Sequence, residues 1–105
     1  MSKRLAMLEG MIAKGSTDPF AWYALALEYA NAGRMDDALA TFTKLRVQSP
    51  SYVPMYLMCG QLLVKAGRKA DGREWLEAGI VAARAAGDAH ALSETETALG
   101  ELDDA

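Results

Sequence analysis

Histidine and cysteine each occur once in this chain of 105 residues, and the scarcity of both removes much of protein chemistry at the outset. A lone Cys59 forms no internal disulfide, and Cys59 with His90 falls short of the four side chains that structural zinc normally takes. Only Ser93 stands at helical spacing from His90, so no nucleophile and base are paired along the chain. Phosphate-cradling glycine loops and dinucleotide fingerprints are missing as well. The expectation is a protein that is not an enzyme and carries no cofactor and no metal.

Long apolar runs are also lacking: nothing approaches the roughly 20 residues that span a bilayer. The start, Lys3-Arg4, turns apolar, but Glu9 and Lys14 interrupt the run before it resembles a secretory leader. With a single cysteine this points to a reducing, cytoplasmic location and no membrane partner. Basic charge is not in excess either. The formal net charge is −3, which gives no reason to expect nucleic acid. The charge is uneven, however: Lys65 to Arg84 holds five bases against three acids, and Asp88 to Asp104 holds six acids and no base. That contrast can draw the last segment onto its neighbour, or it can be an acidic solvated end.

What is present is average globular material, 51% apolar and 24% charged, enough for one domain over residues 1–105. Leu5, Leu8, Met11 and Ile12 recur at spacings of three and four and predict one apolar stripe on a helix over 3–14. Ser16-Thr17-Asp18-Pro19 offers a cap followed by a first-turn proline, starting a second helix that Ala32-Gly33 stops near Asn31. Asp36 and Asp37 open a third helix. Neighbouring helical residues diverge by roughly 100°, so the pair reads as a first turn favoured by the helix dipole, not as a catalytic dyad. Ser49-Pro50-Ser51 closes this helix, a fourth runs from near Val53 to Ala66-Gly67, a fifth from Lys69 to Ala86, and a sixth from Gly87-Asp88 to about Leu102. Six helices without strands, joined by short loops, predict antiparallel neighbours.

Displaced by 34 residues, the chain falls on itself: Ala32-Gly33-Arg34 on Ala66-Gly67-Arg68, Asp37 on Asp71, Trp22 on Tyr56, Ala26 on Gly60 and Phe42 on Leu76. Leu8 and Met11 extend the period backwards from Phe42 and Leu45. Units of this length bury their apolar faces only by stacking, so the period predicts an all-α, antiparallel helix-turn-helix solenoid. The layout is a packing helix at 3–14, repeats at 19–52 and 53–86, and a capping helix at 87–102. Small residues at Ala26, Gly60, Ala38 and Gly72 mark close helix approaches, and Trp22, Tyr29, Phe42, Tyr56 and Trp75 supply bulk. Cys59 falls in a core-facing slot between Tyr56 and Leu63, which predicts an inert buried thiol.

The first repeat, with Trp22, Leu25, Ala26 and Tyr29, then Ala38 and Phe42, then Pro50, resembles a tetratricopeptide repeat (TPR). Leu45 departs from the pattern, which has a small residue there. The second repeat fits at Tyr56, Gly60, Leu76 and Gly79, while Cys59, Leu63, Gly72 and Arg84 replace the usual Leu, Tyr, Ala and Pro.

The resemblance implies a TPR-like superhelix that acts as a protein-interaction module or scaffold, binding a peptide segment of a partner in a concave groove. The groove positions it implies are Phe20, Tyr23, Leu27, Ala30 and Asn31, then Leu57, Gln61, Val64 and Lys65, with Ala91, Thr95 and Ala98 from the last helix. Tyr23 and Leu27 stand where some family members place a Lys and an Asn to grip a terminal carboxylate, so that version of binding is disfavoured. Two other readings stay open. An apolar stripe at this spacing is also what plain helix packing needs, and the half-units at either end could pair two copies into a homodimer without any peptide ligand.

Overall fold

The computed structural model describes residues 2–104. It consists of α1 (Lys3–Ala13), α2 (Pro19–Asn31), α3 (Met35–Gln48), α4 (Pro54–Lys65), α5 (Lys69–Ala86) and α6 (Ala89–Asp104), and among the described residues there is no strand. The helices gather into two compact units, Met1–Ser49 and Pro50–Ala105, each built of three helices around one of the sequence repeats.

In the first unit α2 packs on both α1 and α3. Asp18 caps α2 by accepting a hydrogen bond from the Phe20 backbone N–H at 3.0 Å, and Pro19 occupies the first turn, where no N–H is needed. Leu5 and Leu8 of α1 bury themselves against Ala24 and Leu25, with Ile12 and Tyr29 packed on the cluster. Met11, expected on the same stripe, is exposed instead. Its counterpart in α3, Leu45, is fully buried despite being larger than the repeat pattern calls for. The difference follows from the packing: α3 lies along α2 more extensively than α1 does.

The 34-residue period reaches down to individual bonds. Gly33 and Gly67 adopt φ of 75° and 83°, a left-handed conformation that side chains disfavour, and each ends its helix at the same step. The N–H of Arg34 then donates to the Tyr29 carbonyl and that of Arg68 to the Leu63 carbonyl, both at 2.9 Å. Each arginine pairs with the aspartate three residues on, Arg34 with Asp37 and Arg68 with Asp71, both at 2.8 Å.

In the second unit α5 packs on α4 and α6. The α4–α5 contact is close because glycines face it: a methyl group on Gly60 would lie 2.7 Å from Leu76 Cδ2, and one on Gly79 would lie 2.7 Å from Tyr56 Cβ. Pairs 60 with 76 and 56 with 79 run in opposite senses, so these two helices are antiparallel. Tyr56 and Trp75 meet with ring centroids 5.9 Å apart, and the Tyr56 hydroxyl donates to the Pro50 carbonyl at 2.5 Å. Where the family pattern places a proline, Arg84 lets α5 continue to Ala86. The acidic end does attach to its neighbour: Asp103 pairs with Arg73, and Glu96 lies 3.7 Å from Arg84. The Asp103 carboxylate raises the already high pKa of Arg73 through a hydrogen bond. These pairs are exposed and therefore orient α6 more than they stabilise it.

Candidate functional site

Each unit presents one set of the groove positions. On α2, Phe20 is exposed, with 59% of its surface open to solvent, and Asn31 is exposed one end further along the same face. Tyr23, Leu27 and Ala30 between them are half-buried. Tyr23 points its ring edge at Phe42, centroids 6.4 Å apart and planes at 64°, so part of this residue belongs to the α2–α3 packing. The α2 face is thus an apolar strip with one prominent aromatic ring at its N-terminal end.

On α4, Leu57 and Val64 are half-buried and Gln61 and Lys65 exposed. The last three line a cleft of about 290 Å³ whose other walls are Lys69 and Leu76 of α5 and Ala98, Glu101 and Leu102 of α6. Leu76 and Leu102 are buried and form its apolar floor; Val64 and Ala98 are half-buried, and Gln61, Lys65, Lys69 and Glu101 are exposed. Leu57 is not among the lining residues.

Thr95 does not face this cleft. It is buried, its Cγ2 lying where a methyl group on Gly79 would meet it at 3.3 Å, and its hydroxyl donates to the Ala91 carbonyl at 2.7 Å. The missing side chain of Gly79 draws that turn of α6 onto α5, turning Thr95 inward; Ala91 remains half-buried. Lys69, Leu76, Glu101 and Leu102 were not foreseen in the cleft. Leu102 had a legible signal, standing four residues after Ala98 on the same stripe. Lys69 follows from the tight turn at Gly67, which brings the start of α5 back beside the end of α4.

The remaining reactive groups are accounted for by structure. Cys59 is fully buried. His90 is exposed and its Nε2 lies 3.0 Å from Glu94 Oε1. Among the described residues no three of His, Cys, Asp and Glu gather as a metal would require. Among the described residues no helix is long and apolar enough to cross a membrane. Tyr29 is the strongly perturbed acid. Its hydroxyl donates to Glu9 Oε2 at 2.6 Å, and this bond, followed by burial, pushes its pKa up to about 12. The Arg34 guanidinium lies over the Tyr29 ring, 4.7 Å from its centroid, so the group ties α1, α2 and the following turn together.

No protein-family profile matches the chain. A TPR repeat-containing protein of Pseudomonas aeruginosa is 31% identical to it over 96 residues, covering 91% of each chain. The crystal structure of a tetratricopeptide repeat domain protein from Salinibacter ruber shares 34% identity and superimposes with a TM-score of 0.76, covering 83% of this chain and 97% of that one. The solution structure of a protein from Bordetella parapertussis, 27% identical, superimposes with a TM-score of 0.83 over 99% of this chain and 90% of its own. Identity of 31% over nine-tenths of both chains, together with six helices in which the glycine cap and Arg–Asp pair of one turn recur 34 residues on, settles the family: this chain belongs to the tetratricopeptide-repeat proteins.

Proposed function

We propose that the chain recognises a peptide segment of a partner protein and does so without catalysis. Tetratricopeptide-repeat folds generally serve as protein-interaction modules, and the observation that carries the finer reading is the α4–α5–α6 cleft. It combines an apolar floor with Gln61, whose amide can both donate to and accept from a peptide backbone. The α2 face of the first unit offers Phe20 as an anchor of its own. Contacts of this extent give interfaces at or below about 800 Å² per partner and affinities around micromolar.

Homodimerisation through the chain ends has less support. The period places His90, Ser93, Glu94 and Thr97 of α6 where Tyr56, Cys59, Gly60 and Leu63 of α4 meet their second helix. All four α6 residues are exposed and polar, unlike the buried α4 residues at the same repeat positions.

Short random peptides displayed on phage and selected against the full chain test the reading. Enriched sequences, resynthesised with a fluorophore, are expected to bind saturably by anisotropy. Gln61→Ala should weaken peptides seated in the cleft and Phe20→Ala those seated on the α2 face, and, both positions being exposed, neither should change the helical circular dichroism. Selection that enriches nothing overturns peptide recognition.

A further inference from the structure

We infer that the α4–α5–α6 cleft takes one medium-sized apolar side chain from a segment that carries carboxylates next to it. The inference rests on the peptide-binding reading above and specifies the chemistry of the segment. Size is the first argument. At about 290 Å³ the cleft lies at the lower edge of the range of roughly 300–1,000 Å³ in which small-molecule and cofactor sites fall, so it suits a side chain or two better than a whole cofactor. The floor is the second. Val64, Leu76, Ala98 and Leu102 offer only hydrocarbon, so leucine, isoleucine, methionine or phenylalanine would release water from both surfaces.

Charge decides what lies beside that side chain. Lys65 closes α4 and Lys69 opens α5, both exposed on the lining, and neither makes an ion pair with a described residue. The arginines Arg4, Arg34, Arg68, Arg73 and Arg84 are by contrast each held by a carboxylate of their own unit. Two uncommitted ammonium groups therefore border an apolar cleft, opposed by one carboxylate, Glu101, on α6. Acidic neighbours of the anchor are drawn to the lysines and repelled by Glu101, which sets the direction in which the segment lies across the cleft.

The phage selection is repeated on the full chain and on Lys65→Glu/Lys69→Glu. Peptides enriched on the native chain are expected to share an apolar residue with Asp or Glu within two positions. Their resynthesised forms should lose about tenfold in affinity against the double variant, and binding should weaken at about 0.5 M salt, where exposed charges are screened. Ala98→Trp, which fills the cleft, should abolish binding. Both lysines are exposed, so the charge variant keeps the test valid if the tryptophan variant does not fold. Poly-glutamate, which has the charge without the anchor, should compete poorly. Enrichment of basic or wholly polar peptides overturns the inference, as does equal competition by poly-glutamate or an unchanged affinity in the charge variant. Peptides that lose affinity with Phe20→Ala and not with the cleft variants would leave peptide recognition standing and remove the cleft, whereas no enrichment removes both.

Discussion

The backbone of Gly72 lies so near that of Gly60 that a methyl group on Gly72 would stand 2.9 Å from the Gly60 carbonyl oxygen and 2.6 Å from Val64 Cγ2. A carbonyl in a packed helix cannot move aside as a side-chain tip can. Gly72→Ala should therefore destabilise the protein by about 1 to 2 kcal/mol, the overpacking cost exceeding the gain in helix propensity. Gly60→Ala meets mainly the flexible end of Leu76 and should cost less, whereas Gly60→Leu should cost the full ~1 to 3 kcal/mol. Gly100, in the interior of α6 with no atom near its missing side chain, supplies the control: Gly100→Ala should stabilise by about 0.5 to 1 kcal/mol. Urea unfolding of the four variants checks the order. A Gly72→Ala variant as stable as Gly100→Ala would mean that α4 and α5 do not approach so closely.

In the first unit, alanines hold the corresponding places. Ala26 and Ala38 are both fully buried, each where the second unit has glycine. Ala26→Leu should cost about 1 to 3 kcal/mol by overpacking, measured by thermal melts, and a variant melting with the native chain would show that α2 and α3 do not pack so closely at Ala26.

Much of this was legible from spacing alone. The positive-φ glycines, the Asp18 cap with Pro19 behind it and the burial of Cys59 all follow from local rules, because turns and caps are determined by residues within a few positions of one another. The family resemblance implied groove positions at Phe20, Gln61, Val64 and Lys65; Phe20 is exposed and the other three line the cleft. The fates of Met11 and Thr95 were not legible, since the exposure of Met11 depends on how far α1 packs along α2 and the burial of Thr95 depends on a glycine 16 residues earlier on another helix. Periodicity reports which residues share a face, but it does not report what stands opposite that face.

The Tyr29–Glu9 hydrogen bond makes stability depend on pH on the alkaline side. Folding raises the Tyr29 pKa from 10.0 to about 12, so the folded state holds its proton more tightly than the unfolded one. Below pH 10 both states are protonated and the bond contributes in full. As pH rises toward 12 the unfolded chain ionises first, and the contribution is lost. Tyr29→Phe should be less stable by about 1 to 2 kcal/mol at neutral pH. The gap between native and variant stabilities should shrink as pH climbs above 10. Urea midpoints of both proteins across this range test it, and a gap independent of pH would show that the phenol proton is not what Glu9 holds.

Cys59 is fully buried between Tyr56 and Leu63 on α4, and a thiolate is the species that reacts. Modification by a disulfide reagent should therefore require opening of the second unit. The native rate should fall far below that in urea and rise in Gly72→Ala by about tenfold for each ~1.4 kcal/mol of stability lost. A fast native reaction would place the thiol at the surface.

The outer face of α6 bears on whether the protein assembles with itself. For another copy to extend the repeat, one of its helices would have to approach Glu94 as α5 approaches Gly60, close enough that even a methyl group meets Leu76 at 2.7 Å. A glutamate there holds a second helix away by its length and by the water bound to its charge, and His90, beside it, presents a polar ring where Tyr56 presents its packed one. Light scattering should therefore return a constant monomer mass across a concentration series. Removing the barrier should weaken that constancy: Glu94→Ala combined with His90→Tyr, Ser93→Leu and Thr97→Leu recreates the buried face of a repeat and is expected to make mass rise with concentration. If the native chain already dimerises, and the dimer survives Glu94→Arg, self-association proceeds through another surface and α6 is not the barrier described.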